Sequence, residues 1–179
     1  MPLAYISLGA NLPSPTGAPE VTLTAALVRL ASVGRVIARS SLYSTAPVGF
    51  ADQPRFHNAV VALETSLSPL ELLGALLTFE RAFGRDRLSS IADGPRALDL
   101  DIVLYGDFVL SETALEIPHP RFAERGFVLI PLHAIAPDLR DPRSGRTVVE
   151  ILDALIQASG PLDSSVVPID CAEWAAVVL

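Results

Sequence analysis

Two aspartates stand two residues apart in Leu98-Asp99-Leu100-Asp101-Ile102-Val103-Leu104-Tyr105. On a strand, residues i and i+2 leave the same face, so both carboxylates project together from backbone positions about 6–7 Å apart. Like charges at that spacing repel and lose hydration unless cations lie between them. Hard carboxylate oxygens with open coordination positions suit magnesium carried on a nucleotide's phosphates. The pattern alone also fits a solvated strand face, so its neighbours decide. Arg85, Arg87 and Arg96 flank the pair at the ends of a polar stretch, and Gly94-Pro95 turns the chain into the strand. A polyphosphate with its metals would account for guanidiniums gathered beside carboxylates; a surface ion-pair network is the plainer alternative. Pro118-His119-Pro120-Arg121 and Arg125-Gly126-Phe127 add a second cationic and aromatic group. Phe56 and Asn58 set a ring beside an amide, a pair able to receive a flat heterocycle.

Elements must position these groups. Residues 4–8 read as a strand closing on the turn Gly9-Ala10-Asn11, and 22–31 place Leu23, Ala26, Leu27 and Leu30 on one helical face. A long strand spans 33–48, a break follows at 49–54, and 58–65 returns as a strand. Ser68-Pro69-Leu70-Glu71 starts a helix with an N-cap hydroxyl, a first-turn proline and a reciprocal glutamate. That helix carries Leu72, Leu73, Leu76 and Leu77 and ends near Gly84. Residues 85–95 lack apolar periodicity and read as a mobile loop that tightens on ligand binding. The apolar run at 98–105 implies an interior strand. A short hairpin return follows at 107–109, an apolar stretch at 127–135 and a late helix at 147–158.

The order strand, helix, strand, strand, helix, strand predicts an α+β, ferredoxin-like αβ sandwich. It has an antiparallel sheet with a βαββαβ core, helices on one face and added C-terminal elements. Residues 1–159 form the domain, and 160–179 a C-terminal extension of unassigned role in which Cys171 and Trp174 serve packing. Arg29, Arg35 and Arg39 read as ordinary surface charges, and His57 and His133 as structural or solvent-facing.

The chain has 179 residues, against about 150 per domain as a common size, so one domain is expected. Half the residues are hydrophobic and mean hydropathy is +0.44, which excludes disorder as the main state. Thirteen basic against twenty acidic side chains give a net charge of -7, the wrong balance for coating nucleic acid or an anionic membrane. Every basic side chain is arginine, which removes lysine-dependent phosphate loops and Schiff bases. A single cysteine excludes an internal disulfide and a cysteine-built zinc site. No charged leader opens the chain and no apolar stretch nears the ~20 residues of a membrane span, so a cytoplasmic protein is expected.

Five motifs occur in order: Gly9-Ala10-Asn11-Leu12, Asp52-Gln53-Pro54, Phe56-x-Asn58, Gly94-Pro95-Arg96-x-Leu98-Asp99-Leu100-Asp101, and Pro118-His119-x-Arg121-x-x-x-Arg125-Gly126-Phe127. Over residues 3–155 the chain resembles the 6-hydroxymethyl-7,8-dihydropterin pyrophosphokinases of the folate pathway. The resemblance implies the ferredoxin-like fold and transfer of pyrophosphate from ATP to the pterin's hydroxymethyl oxygen, with release of AMP. It implies two magnesium ions held by Asp99 and Asp101, with Arg85 and Arg96 clamping phosphates. His119 would contact the triphosphate; Glu80, Arg87 and Arg125 would lie on the nucleotide side, and Ile102 would line the adenine site. Phe56 and Phe127 would sandwich the pterin, Asn58 would read its edge, and the backbone of Thr45, Ala46 and Val48 would add donors and acceptors. No obligate protein partner is implied. The chain departs from the family at Ala92-Asp93, where a basic residue and Trp are usual, at Leu77, where a polar residue is common, and at Phe56, where Tyr is common. A noncatalytic pterin or nucleotide binder is the alternative, and a regulatory or nucleotidyltransferase module that shares only the Asp-x-Asp pattern is a more distant one.

Overall fold

A computed structural model of the chain describes residues 1–50, 52–85, 94–162 and 165–178. Arg87, Ala92, Asp93 and most of the expected loop at 85–95 lie outside the described residues. The elements run β1 (Leu3–Ala10), α1 (Pro19–Leu30), β2 (Arg35–Arg39), β3 (Leu42–Thr45), β4 (Phe56–Glu64), α2 (Pro69–Ala82) and β5 (Asp99–Tyr105). A small hairpin follows, β6 (Leu110–Ser111) with β7 (Glu116–Ile117), then a 3-10 turn at Phe122–Glu124 and α3 (Gly126–Ile135). The chain ends with α4 (Val148–Ser159), β8 (Val166–Ile169) and α5 (Ala172–Ala176).

The main sheet is antiparallel in every pairing, with strand order β5-β1-β4-β3-β8 and β2 also on β4. Register sets Ser7 opposite Asp101 and Val60, and Gly9 opposite Asp99 and Asn58, so these residues share one face. Alternation then divides the core. Ile6, Leu8, Val61, Leu63, Leu100 and Ile102 meet Leu23, Leu27, Leu72 and Leu76 of α1 and α2. Tyr5, Val60, Ala62 and Val103, on the opposite face, meet Val128, Leu129 and Leu132 of α3 and Ile151 of α4.

Three expectations need correction. Helices cover both faces rather than one, because the second face is also apolar over most of its length and needs α3 and α4 against it. The strand at 33–48 is two strands: at Ser40 the hydroxyl accepts the Val60 amide at 3.0 Å and donates to the Ser41 carbonyl, and the strand is interrupted. β5 is an edge strand, not an interior one. Its outer edge is closed by other means: Leu100 N–H donates to Glu80 Oε1 at 2.9 Å, and Val103 O accepts the His119 amide at 2.9 Å. An edge blocked in this way is no template for a further strand, and its side chains can be as apolar as those of an interior one.

The helix start at Ser68 is as read. Its hydroxyl accepts the Glu71 amide and the Glu71 carboxylate accepts the Ser68 amide at 2.8 Å. Among the described residues no helix is long and apolar enough to cross a membrane. Leu8 is fully buried beneath the strand face that carries Gly9 and Ser7, so Leu8→Ala should cost about 2–5 kcal/mol in urea unfolding. A loss under about 1 kcal/mol would mean that the sheet does not pack there as described.

Candidate active site

Small residues make the floor. Ser7 and Gly9 leave a trough along the middle of the face, with Asp99 and Asp101 from β5 on one side and Asn58 from β4 on the other. Around it Thr45, Ala46, Val48 and Phe56 form one wall, Arg96 with the aspartates a second, and Arg121, Arg125 and Phe127 a third. A second cleft lies against the outer edge of β5, between Leu73 and Leu77 of α2 and the segment holding Glu116 and His119. Ile102 lines this second cleft. Asp101 lines both, so the two clefts meet at one carboxylate.

The two aspartates differ in how their charge is answered. Asp99 accepts Arg85 Nη1 on Oδ1 and has Arg96 Nε 3.0 Å from Oδ2. Among the described residues Asp101 pairs with Arg125, whose Nη1 lies 4.0 Å from Oδ2, and feels Arg85 more weakly. Its side chain keeps 36% exposure, yet desolvation, followed by the Asp99 charge, raises its pKa to about 7 against the pull of Arg125. Glu80 stands behind the pair. It is 1% exposed, lines neither cleft, and accepts Arg85 Nη1 at 2.8 Å with the same oxygen that takes the Leu100 amide. Glu80 therefore fixes the foot of the arginine and the start of β5 from below.

His119 is a neutral donor. Its Nδ1 accepts the Arg121 amide at 3.1 Å, which leaves the proton on Nε2. Burial, then Arg125 and Arg121, lower its pKa to about 4. The ring can thus bond an anionic oxygen at neutral pH without carrying charge. On the other wall Asn58 is 4% exposed, and its Nδ2 donates to Thr45 Oγ1 at 2.7 Å. A Cβ on Gly9 would lie 2.7 Å from Asn58 Oδ1, so only glycine leaves the amide its place. Guanidiniums sit over both rings, Arg96 at 5.1 Å from the Phe56 centroid and Arg125 at 5.4 Å from that of Phe127.

The structure thus gathers Thr45, Ala46, Val48, Phe56, Asn58, Arg96, Asp99, Asp101, Arg125 and Phe127 at one cleft and Ile102 and His119 at its neighbour. It sets Arg85 and Glu80 under Asp99; Arg87 lies outside the described residues. One backbone donor is taken, since Ala46 N–H donates to Ser165 O at 2.8 Å. Sequence reasoning had passed over Ser7 and Gly9 as site residues, and the alternation of small residues at 7 and 9 in β1 was the signal for them. Asn11 was missed as a staple: its amide donates to Gln53 and Pro54, and its Oδ1 accepts the Arg96 amide at 2.8 Å.

Residues 5–137 match the family model described as 7,8-dihydro-6-hydroxymethylpterin-pyrophosphokinase, and the chain belongs to that family. A 2-amino-4-hydroxy-6-hydroxymethyldihydropteridine pyrophosphokinase of Pseudomonas aeruginosa is 47% identical over 150 residues, 84% of this chain and 90% of that one. A protein of the same name from Synechocystis is 43% identical over 152 residues, 84% of this chain and 74% of that one. The fold is also similar to a crystal structure of Plasmodium falciparum HPPK-DHPS, with a TM-score of 0.72 at 15% identity. That likeness covers 93% of this chain but only 46% of the solved one.

The unequal aspartates predict unequal mutants in metal-free buffer. Asp99→Asn takes the shared carboxylate from Arg96 and leaves Arg85 with Glu80, and should cost about 1–3 kcal/mol. Asp101→Asn should stabilise the protein. The raised pKa means that Asp101 weakens the fold as pH climbs from about 4 through about 7. The gain in melting temperature for Asp101→Asn should therefore be larger at pH 8 than at pH 5. Equal gains at both pH values would contradict the crowding. His119 has the opposite sign, its contribution being lost as pH falls from 6.5 towards 4, and being the same in both proteins it drops out of the difference.

Proposed function

We propose that the chain transfers pyrophosphate from ATP to the hydroxymethyl oxygen of 6-hydroxymethyl-7,8-dihydropterin, releasing AMP, as a cytoplasmic step of folate biosynthesis. The observation that carries this reading is the junction at Asp101. One cleft has a ring-and-amide wall suited to a planar acceptor, and the other sets Leu73, Leu77 and Ile102 opposite a more polar side with a neutral histidine donor, an arrangement suited to a nucleotide. A group passed between their occupants must cross the aspartate pair. Family membership and the names of the relatives point to the same chemistry.

The donor set fits two magnesium ions arriving with the triphosphate. Two strand-borne carboxylates share a face, and among the described residues no cluster of three or more His, Cys, Asp or Glu side chains forms a cage. An ion on Asp99 and Asp101 must then fill its shell with phosphate oxygens and water. Arg85 Nε is buried with no hydrogen-bond partner among the described residues, a cation with a donor in reserve. Bound there, the ions would supply positive charge against the triphosphate and polarise the group in transfer.

The chain's own residues then have distinct tasks. Phe56 and Phe127 hold the flat faces of the acceptor, and Asn58, oriented by Thr45, reads its edge. Arg96 links this wall to the phosphates, since it touches both the Phe56 ring and Asp99. Arg85, Arg96 and Arg125 neutralise oxygens around the β-phosphorus, and His119 Nε2–H bonds a triphosphate oxygen. The acceptor hydroxyl gives its proton to Asp99, Asp101 or solvent, its oxygen bonds to the β-phosphorus as the bridge to the α-phosphate breaks, and AMP leaves. The sheet order β5-β1-β4-β3, with α1 and α2 on one face, supports a ferredoxin-like core in residues 1–159. ATP and the dihydropterin are the partners expected, without an obligate protein partner.

Incubation with ATP, magnesium and the dihydropterin should yield AMP and the pterin diphosphate, separable by chromatography. ADP as the sole nucleotide product would refute the reading, and binding of both ligands without AMP would mark a noncatalytic relative. Asp101→Ala should lower turnover by about a thousandfold or more. Gly9→Ala should raise KM for the dihydropterin about tenfold through the displaced Asn58 amide, with KM for ATP within about twofold. An unchanged acceptor KM would remove Asn58 from recognition.

A further inference from the structure

The segment after α4 lies beyond the family match, which ends at residue 137, yet it reaches both walls of the acceptor cleft. On the first wall, β8 pairs along the outer edge of β3, with Ser44 opposite Val167 and Thr45 opposite Val166. β3 has only four residues, and β8 turns it from an edge into an interior strand. Just past the strand end, Ser165 O accepts the Ala46 amide at 2.8 Å, and Arg55 spans Ser44 O and Ser165 O at 2.9 and 3.3 Å. On the second wall, Leu162 packs where a Cβ on Gly126 would lie 2.9 Å from its Cδ1, at the start of the helix that bears Phe127.

The far end is anchored. Trp174 is 4% exposed and its Nε1–H donates to Ser40 O at 2.9 Å, at the break between β2 and β3. Arg39 donates to Val177 O and Ala175 O at 2.6 and 2.8 Å and lies 5.9 Å from the Trp174 centroid. Arg39 is therefore a clasp on the chain end rather than an ordinary surface charge.

We propose that residues 165–178, with Leu162, are a positioning brace for the acceptor cleft. The brace fixes the Thr45–Ala46 wall, and through Thr45 Oγ1 the Asn58 amide, against the Gly126–Phe127 wall. It rests on the acceptor reading above. A preorganised wall spares the acceptor the cost of ordering it on binding, so loosening the brace weakens the acceptor and spares the nucleotide, whose cleft lies on the other edge of the sheet.

The test uses the full chain with magnesium and a non-transferable ATP analogue, titrated with 6-hydroxymethyl-7,8-dihydropterin. Trp174→Ala should weaken dihydropterin binding about tenfold and analogue binding by no more than about twofold. Trp174→Phe, which keeps the ring but not the hydrogen bond, should recover most of the loss. Unchanged dihydropterin affinity, or equal loss for both ligands, would overturn the brace. Should Trp174→Ala fail to fold, hydrogen exchange on the wild type decides. Dihydropterin should slow exchange at 165–169 together with 44–46, and protection at 44–46 alone would overturn the proposal. A wild type that binds no dihydropterin removes both the acceptor reading and the brace. A wild type that transfers pyrophosphate while Trp174→Ala binds normally removes the brace only.

Discussion

Asp99 and Asp101 leave one strand face side by side, but the cations around them are shared out unequally. Arg85 and Arg96 both serve Asp99, and Arg85 in turn stands on the buried carboxylate of Glu80. Among the described residues Asp101 has a guanidinium 4.0 Å away, a weaker pull from Arg85 and a close neighbour of its own sign. Much else in the molecule maintains this imbalance. Ser7 and Gly9 keep the trough open beside the pair, and Glu80 closes the β5 edge that would otherwise be exposed. The 3-10 turn and α3 bring in Arg125 from one side only. A carboxylate held in this state retains protons readily when alone and favours a divalent cation that brings its own oxygen ligands.

The remaining architecture follows from covering one sheet on two faces. α1 and α2 take the face behind the trough, while α3 and α4 cover the near face only as far as the N-terminus of α3. Beyond that point the near face is floored by small and polar residues, and a cleft opens in place of a core. Among the described residues β5, at the sheet edge, is the strand that presents groups to both clefts: Asp99 lines the first, Ile102 the second, and Asp101 between them lines both.

The parts legible in the sequence were those set by local period or local chemistry. The shared face of Asp99 and Asp101 follows from strand geometry, and the α2 start from the reciprocal bonds of Ser68 and Glu71. The ring-and-amide wall was marked by Phe56 and Asn58. What escaped depends on partners distant in the chain. The split at Ser40 comes from a hydroxyl that takes over a bond with Val60. The apolar run of β5 looked interior because its edge bonds come from Glu80 and His119. Glu80, expected at the nucleotide, lies sealed under Arg85. The role of the chain end could not be read because its partners, Ser40 O, Ala46 N–H and the Gly126 backbone, carry no side-chain signal.

We propose that Asp99 and Asp101 together receive divalent cation only as part of a nucleotide complex. Manganese replaces magnesium and broadens nearby NMR signals, so its position can be read from the backbone amides. With a non-transferable ATP analogue present, broadening should centre on residues 99–101 and on Ser7 and Gly9 across the pair, should be weak without the analogue, and should vanish in Asp101→Asn. Equal broadening without nucleotide, or a centre away from these strands, would contradict the account.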